Sequence, residues 1–416
     1  MRAWEPRSRM TELDHRSLYR LPWNLSDNPI VWLEPTQQCN LACDGCYRKN
    51  VKTHKPVDEV VAELETFARL RNFDGVSIAG GDPLCHPDVV EIVRRVTWMG
   101  RKAILNTNGL ALSRELLVDL KKAGLVGLTF HVDSRQGRPG WRNKTETQMN
   151  ELRQELAELV AGVGGLATAF NSTVYEDTLE QVPDILDWAG KNIDIVHTVV
   201  FITYRAAAPE KYDYFAHGKK IDMEEIVYSS TQQRRTDISS REVVKVIQRR
   251  HPEFMPAAYL NGTEKPDTFK WLLALRVGSK LHIHGYAGPK FLEAMQSGYH
   301  FVNGRYLAYS SPGALGMGRT LLASGFWDRG LRSAAGRFAK NVVGDPLELV
   351  RPQRVQAVMV IQPIDLLEDG RQNMCDGCPD MTLHEGRLAW SCRLEELTNF
   401  GCFVNTVPKA PSANPS

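Results

Sequence analysis

No stretch of this 416-residue chain approaches the roughly 20 consecutive apolar residues that a membrane-spanning helix needs. The opening residues, MRAWEPRSRMTELDHR, hold no apolar segment, so no secretion signal is expected and the reading is cytoplasmic. Charge of one sign is also missing. Lys and Arg number 51 against 49 Asp and Glu, a net charge of +2, which gives no polyanion signal, so no nucleic-acid partner is expected. Internal repeats are absent. Hydrophobic residues at 43% and charged residues at 24% are ordinary globular values. They allow one large domain or two to three smaller ones.

Cysteine is present in a telling pattern. Eight cysteines in a chain without an export signal favour metal or redox use over disulfides. Seven of them fall into two clusters, so scattered buried thiols are a poor account of them. The first cluster, Cys39-x3-Cys43-x2-Cys46 in CNLACDGCYRK, directly follows the apolar run VWLEP. Three thiolates this close can hold three irons of a [4Fe-4S] cube and leave the fourth iron open to chelate a cofactor. A zinc loop is the alternative, but it lacks a nearby fourth Cys or His apart from His54. The second cluster is Cys375-x2-Cys378-x13-Cys392-x9-Cys402. Four thiolates would saturate a cube, and a structural zinc site is the alternative. Cys85, in GGDPLCHP, reads as a packed loop thiol.

From residue 30 to 205 strand and helix patterns alternate. Strands are expected at 31–36, 75–81, 102–109, 125–134, 166–174 and 193–203, with helices at 57–70, 87–100, 113–124, 145–163 and 178–192. Ser113 is the expected N-cap of the third helix. Continuously apolar strands belong to parallel sheets, and right-handed crossovers curl such a sheet. The expected fold is therefore α/β, a partial (β/α)6 TIM-type barrel. Functional side chains should gather at the carboxyl ends of the strands. Polar residues do stand there: Gly80, Gly81, Asp82 and Pro83, then Asn106, Thr107 and Asn108, then His131, Asp133 and Ser134, then Asn171, Ser172 and Thr173. For Asn106, Asn108, Asp133 and Ser134, turn and cap roles compete with ligand binding.

The remaining segments read as an N-terminal extension (1–29), a mainly helical, substrate-shaping insertion (206–350), a small cysteine-rich β-hairpin domain (351–405) and a Pro/Ser-rich disordered tail (406–416). Within 351–405 a strand is expected at 355–363 and a hairpin turning at Glu385–Gly386.

The CxxxCxxC loop after the first strand, the GGDP turn after the second and the alternation to residue 203 resemble the radical S-adenosylmethionine (SAM) superfamily. The resemblance implies that Cys39, Cys43 and Cys46 bind a [4Fe-4S] cluster whose open iron takes the amino and carboxylate groups of SAM. Gly80, Gly81 and Asp82 resemble the motif that meets the SAM amino group, with Asp82 where the family usually shows Glu. Asp133 and Ser134 are candidates for the ribose hydroxyls, and Asn106, Asn108 and Asn171 for SAM or substrate. The family commonly carries an aromatic residue just before the third cysteine. Here Gly45 holds that place, with Tyr47, or strand residues such as Val200 and Phe201, as substitutes beside the adenine. The second cysteine cluster resembles the SPASM or twitch auxiliary cluster domains, although its spacing departs from the usual pattern. Cys392 or Cys402, if free, would instead resemble the hydrogen-donor thiol of radical epimerases.

The activity implied is reductive cleavage of SAM to a 5′-deoxyadenosyl radical and hydrogen abstraction from an unactivated C–H bond of a small molecule or lipid. A flavodoxin or ferredoxin would be the electron donor, and the auxiliary cluster would assist oxidation or bond formation. A peptide-modifying enzyme, an epimerase and a metal-binding scaffold are the alternatives; only about 30 residues precede the barrel, with no visible peptide-recognition module. Residues 319–343 place Trp327, Leu331, Ala334, Phe338 and Val342 at helical spacing beside basic residues, a pattern for either a membrane interface or packing on the barrel. Arg135, Arg138 and Arg142 follow the fourth strand as anion-binding candidates or a solvated loop. His282 and His284 form a weak metal pair with no carboxylate close in sequence.

Overall fold

The computed structural model describes residues 13–223 and 234–409. A two-residue strand, β1 (Tyr19–Arg20), precedes the alternating unit. That unit runs β2 (Ile30–Leu33), α1 (Val57–Leu70), β3 (Gly75–Ile78), α2 (Val89–Trp98), β4 (Lys102–Thr107), α3 (Arg114–Lys122), β5 (Leu125–His131), α4 (Asn150–Val163), β6 (Ala167–Val174), α5 (Val182–Lys191) and β7 (Thr198–Thr203). All six expected strands and five expected helices are present. Strands β2 to β7 pair in parallel in chain order, as in a partial TIM barrel. Ser113 caps α3 as expected, its hydroxyl accepting from the Leu116 N–H. Helix α1 buries Val60, Leu64 and Phe67, a spacing of three and four that puts them on one face. They belong to one core with the outward-facing strand residues Val31, Val76, Phe130 and Phe201, all fully buried.

The chain continues through β8 (Tyr212–Ala216), β9 (Lys219–Ile221), α6 (Ser240–Arg250), β10 (Ala258–Leu260), β11 (Trp271–Gly278), β12 (Ile283–Tyr286), α7 (Pro289–Asn303), α8 (Pro312–Leu315), α9 (Gly318–Ala323) and α10 (Arg329–Gly344). It ends with β13 (Arg354–Ile361), the short β14 (Asp365–Leu366) and β15 (Gln372–Asn373), the hairpin β16 (Met381–His384) and β17 (Arg387–Trp390), α11 (Leu394–Phe400) and β18 (Asn405–Pro408). The 206–350 stretch thus adds strands as well as helices. Strand β13 lies parallel to β7 and antiparallel to β11, so it extends the barrel sheet. The β16–β17 hairpin turns at Glu385 and Gly386, both at positive φ. Thr406–Pro408, at the start of the expected tail, belong to β18 and pair with β8; residues 410–416 lie outside the described ones.

The basic stripe in 319–343 falls on α9 and α10. Leu331 and Ala334 are fully buried, Phe338 meets the His284 ring edge-on at 5.0 Å, and Trp327 lies 6.1 Å from Phe291. This apolar face is taken up by packing on the barrel. Among the described residues no helix is long and apolar enough to cross a membrane.

The sheet ends at β2 on one side and β1 on the other. The second cysteine segment touches both ends. Cys375 bridges to Gly262 just past β10, and Asp376 pairs with Arg20 of β1 at 2.8 Å. On the other side the Gly377 carbonyl accepts from Asn28 at 3.0 Å, and the Cys378 carbonyl accepts from Arg71 at 3.2 Å. Arg71 is 2% exposed, so these bonds satisfy a buried cation.

Candidate active site

The first cysteine loop is anchored at its base by an ion pair. Glu34 and Arg48, both about 5% exposed, meet with 2.8 Å from Arg48 Nε to the carboxylate. Further along, the loop backbone lies against the end of β3. The Thr36 and Gln38 carbonyls accept from the Gly81 and Asp82 N–H groups at 2.8 Å each. A Cβ at Gly80 would stand 2.3 Å from the Thr36 oxygen, and one at Gly81 2.3 Å from the Gln38 oxygen. The double glycine is therefore required by this backbone approach.

Asp82 is 1% exposed, and its carboxylate accepts from the Leu84 N–H, the Thr107 hydroxyl and the Asn108 N–H at 2.8–2.9 Å. Burial pushes its pKa up, against the pull of these donors. The bonds pin the end of β4 to the end of β3. Asn108 turns its amide to Asn40 at 2.7 Å, 3.7 Å from Cys39 Sγ.

Cys39, Cys43 and Cys46 line a cavity of about 1290 Å³. Burial raises all three thiols; Cys43 is raised further by Asp133, Cys46 and Cys39, and Cys46 by Cys39. The three thiols feel one another's charge across one cavity wall. Arg138 is the cation that acts on Cys43 and Cys39, and Arg48 acts on Cys46. Arg138 is 3% exposed and donates to the Asn108 carbonyl at 2.7 Å. Burial lowers its pKa, opposed by Cys43, Asp133, Asp82 and Cys39. Arg135 instead pairs with Asp177, and Arg142 is an exposed loop residue.

At the end of β5, Asp133 takes bonds from His131 Nε2 at 3.0 Å and the Arg135 N–H at 2.8 Å. Burial alone would raise its carboxyl, but the hydrogen bonds and charge of His131 bring it below the usual range. Asn106, Asn171, His131 and Asp133 all line the cavity. The Asn106 amide nitrogen is buried and has no hydrogen-bond partner among the described residues, an open donor in the wall. Ser134 does not line the cavity; its N–H bonds the Glu146 carboxylate, part of a buried pair with Arg153. Tyr47 lines the cavity, and burial raises its phenol, with Asp380 and Cys392 among the charges it feels. Val200 lines it too, whereas Phe201 points to the outer core.

One residue escapes a reading of the sequence. Tyr175, just past β6, is 1% exposed, stacks on Tyr204 at 4.9 Å and sets its hydroxyl against Gly45. The only signal for it is the missing aromatic at position 45.

The second group brings together three of its four cysteines. Cys375 and Cys378 hydrogen-bond through their side chains. As the acceptor Cys375 is lowered, while Cys378 is raised. Burial pushes Cys392 up to about 12, with Cys375 adding to the rise. Cys392 also lines the large cavity, as does Asp380. Burial moves the Asp380 carboxyl up to about 7, against the pull of Arg71. Cys402, half-buried after α11, takes no part in these thiol interactions among the described residues. Cys85 sits beside Cys39 and Asp82, its thiol pushed up to about 11 by burial.

The histidine pair divides. His284 is fully buried and bonded to Gln353 at 2.9 Å and Asn341 at 3.0 Å. Folding brings Asp345 and Glu348 to His282, the carboxylates that the sequence lacks nearby. Arg351 already bridges both, at 2.9 Å from Glu348, so a side-chain cation stands beside these acids.

A family model described as the Radical SAM superfamily matches residues 33–189, the stretch from the end of β2 to α5. Over residues 33–189 the chain matches a radical SAM domain. A relative described as AdoMet-dependent heme synthase, from Oleidesulfovibrio alaskensis, is 26% identical over 188 residues, 41% of this chain and 46% of its own. A GTP 3',8-cyclase from Lactiplantibacillus plantarum is 40% identical over 111 residues, 25% of this chain and 33% of its own. The chain thus spans half or less of the length of these relatives. Streptococcus suis SuiB aligns in structure at a TM-score of 0.40 and 15% identity, covering 55% of this chain and 47% of that one. The superfamily implies a [4Fe-4S] cluster and SAM, and the radical SAM domain here has suitable donors. Three unbridged thiols share one cavity wall, with a guanidinium beside them and an unpartnered Asn106 amide in the same wall.

Proposed function

We propose that this chain is an enzyme in which Cys39, Cys43 and Cys46 hold a SAM-binding [4Fe-4S] cluster, acting on a C–H bond of a small molecule or lipid. The observation that carries the reading is the meeting of these three thiols with strand-end polar side chains in one cavity. When bound and reduced, the cluster and SAM supply a carbon radical able to take hydrogen from an unactivated carbon. The chain's own residues bind, orient and exclude water. Arg138 favours thiolates at Cys43 and Cys39. The Asn108 amide lies toward Cys39 Sγ and lends it partial positive charge. Asn106 offers N–H donors to the SAM carboxylate or ribose, and Asp133, held ionised by His131, offers acceptors to ribose hydroxyls. Gly80 and Gly81 present backbone, and Tyr47 and Asn171 present side chains, to the same space. A low-potential protein such as flavodoxin or ferredoxin would deliver the electron.

A second metal centre on Cys375, Cys378 and Cys392 belongs to the same proposal, as an auxiliary cluster exchanging an electron with the substrate; Cys402 is the outlying candidate ligand. A second reading is favoured by Cys392 lining the main cavity: Cys392 as the thiol that returns a hydrogen atom in an epimerisation. Iron and acid-labile sulfide, counted after anaerobic reconstitution, test both. About eight irons support two cubes, about four with zinc make the second site structural, and about four without zinc favour the free thiol. Full iron binding by a variant with Cys39, Cys43 and Cys46 all changed to Ala would contradict the assignment of the first loop.

A further inference from the structure

Strand residues that face the interior of a TIM barrel normally interdigitate and fill it. Here the relation is reversed. On β13 the outward-facing Val358 and Val360 are 1% exposed, while the inward-facing Ala357, Met359 and Ile361 are only half-buried. Strand β6 repeats the pattern, with Phe170 buried under the helices and Ala167 and Ala169 half-buried on the inside. Alanines at 167, 169 and 357 are too short to meet across the space between β6, β13 and β2. The interior is therefore a lumen continuous with the site of the first cysteine loop, and together they make the cavity of about 1290 Å³. That exceeds the roughly 300–1,000 Å³ of ordinary ligand pockets.

The lumen is graded. At the carboxyl ends of the strands it shows Asn106, His131, Asp133 and Asn171. Along the strands below it shows Trp32, Ile104, Val200, Leu273 and Leu275. Its far end is lined by Phe291, Met295 and Leu315, beside Tyr309, whose hydroxyl is spent on Ser77 at 2.6 Å. His197 also reaches this lining, and burial drops its pKa to about 4, so it is neutral at pH 7. Charged groups line the cavity too: Asp380 beside Cys392 and, past the carboxyl ends of β7 and β13, Arg205, Lys211, Asp365 and Glu368. Met317 both lines the cavity and is half exposed, so the far end reaches the surface.

We propose that this lumen binds the hydrocarbon chain of the substrate, an acyl or isoprenoid compound whose polar or reacting end lies at the cysteine mouth. Which end reacts rests on the radical SAM reading; chain binding does not. The step from alanine to a longer side chain at 169 or 357 is then a block to the chain.

The test uses the full-length, iron-loaded protein and 9,10-dibromostearate, whose bromines quench nearby tryptophans such as Trp32 and Trp271 in the lumen wall. The expected result is saturable quenching that falls with Trp32→Phe or Trp271→Phe. Competition by unbrominated acids of eight to eighteen carbons should strengthen about fourfold per added methylene before levelling off. Ala169→Leu and Ala357→Leu, made separately and each checked for unchanged iron content, should weaken binding at least tenfold. Geranylgeraniol competing more strongly than stearate assigns an isoprenoid chain, and the reverse an acyl chain; either supports the class. Absent or unsaturable quenching in the wild type, no dependence on chain length, or unchanged affinity in both leucine variants overturns the proposal. SAM cleavage on the same preparations keeps the two readings apart. Its loss with quenching intact removes the radical chemistry and leaves the lumen, and the converse removes only the lumen.

Discussion

The Tyr175 hydroxyl occupies the space into which any side chain at Gly45 would grow: a Cβ at Gly45 would lie 2.7 Å from it. The ring comes from the end of β6, 130 residues after the loop it supports. An aromatic body thus stands beside the third cysteine without being adjacent to it in sequence. The hydroxyl is buried and has no hydrogen-bond partner among the described residues, and burial raises its pKa.

That contact predicts a non-additive pair. Gly45→Ala forces overlap with the hydroxyl and should cost about 1–3 kcal/mol. Tyr175→Phe removes an unsatisfied buried oxygen and should be neutral or stabilising. In the double variant the alanine should cost clearly less than it does alone. Urea unfolding of the four proteins measures the coupling, and strict additivity would contradict the contact.

Asp82 gives a second prediction. Its carboxylate uses both oxygens on donors from Leu84, Thr107 and Asn108. Asp82→Asn replaces an acceptor by an N–H₂ facing those donors, and should destabilise by about 1–3 kcal/mol. Asp82→Glu should destabilise as well, because the longer arm does not fit the same donors. An unfolding midpoint unchanged in both variants would show that the brace is unimportant.

His197 predicts a pH dependence. Burial first, and Arg354 second, lower its pKa from 6.5 to about 4. The unfolded chain therefore binds more protons than the folded one between these values. Stability should be fully present above pH 6.5 and fall as the pH drops towards 4, by up to ~3 kcal/mol from this group. Its ring nitrogen accepts from the Thr168 N–H at 3.0 Å, a bond that His197→Asn can keep. Unfolding curves from pH 7.5 to 4.5 should be flatter for that variant, and equal slopes would rule the histidine out.

For the second cysteine group, Cys375→Ser, Cys378→Ser and Cys392→Ser should each lose the bound metal of that group, and Cys402→Ser should retain it. Metal analysis of the four variants decides. Equal loss in Cys402→Ser would put that thiol among the ligands.

The barrel is largely legible in the sequence, and the reason is local. Runs such as GVSIAGG and KAILNTNG carry strand and turn in one window, and the helices between them show their own periodicity. The first cysteine loop is legible for the same reason: its three cysteines lie within eight residues. What escapes is non-local. Strand β13 reads as part of a separate C-terminal unit because periodicity does not say that it will pair with β7. Gly80 and Gly81 read as allowing the close approach of a ligand, and what the sequence does not show is that the Thr36 and Gln38 backbone approaches them as closely. The stripe on α10 reads first as a packed surface and second as a lipid-facing one, and only β12 seen against it shows the packing. Hollowness is least legible of all, since Ala169 and Ala357 become conspicuous only when they face the same lumen.

The most direct test of the proposed activity is anaerobic reduction of the reconstituted protein in the presence of SAM, with 5′-deoxyadenosine quantified by mass spectrometry. The expected result is formation of 5′-deoxyadenosine and methionine, abolished in Cys39→Ala, Cys43→Ala and Cys46→Ala. No 5′-deoxyadenosine from protein shown to carry a reduced four-iron cluster would contradict it.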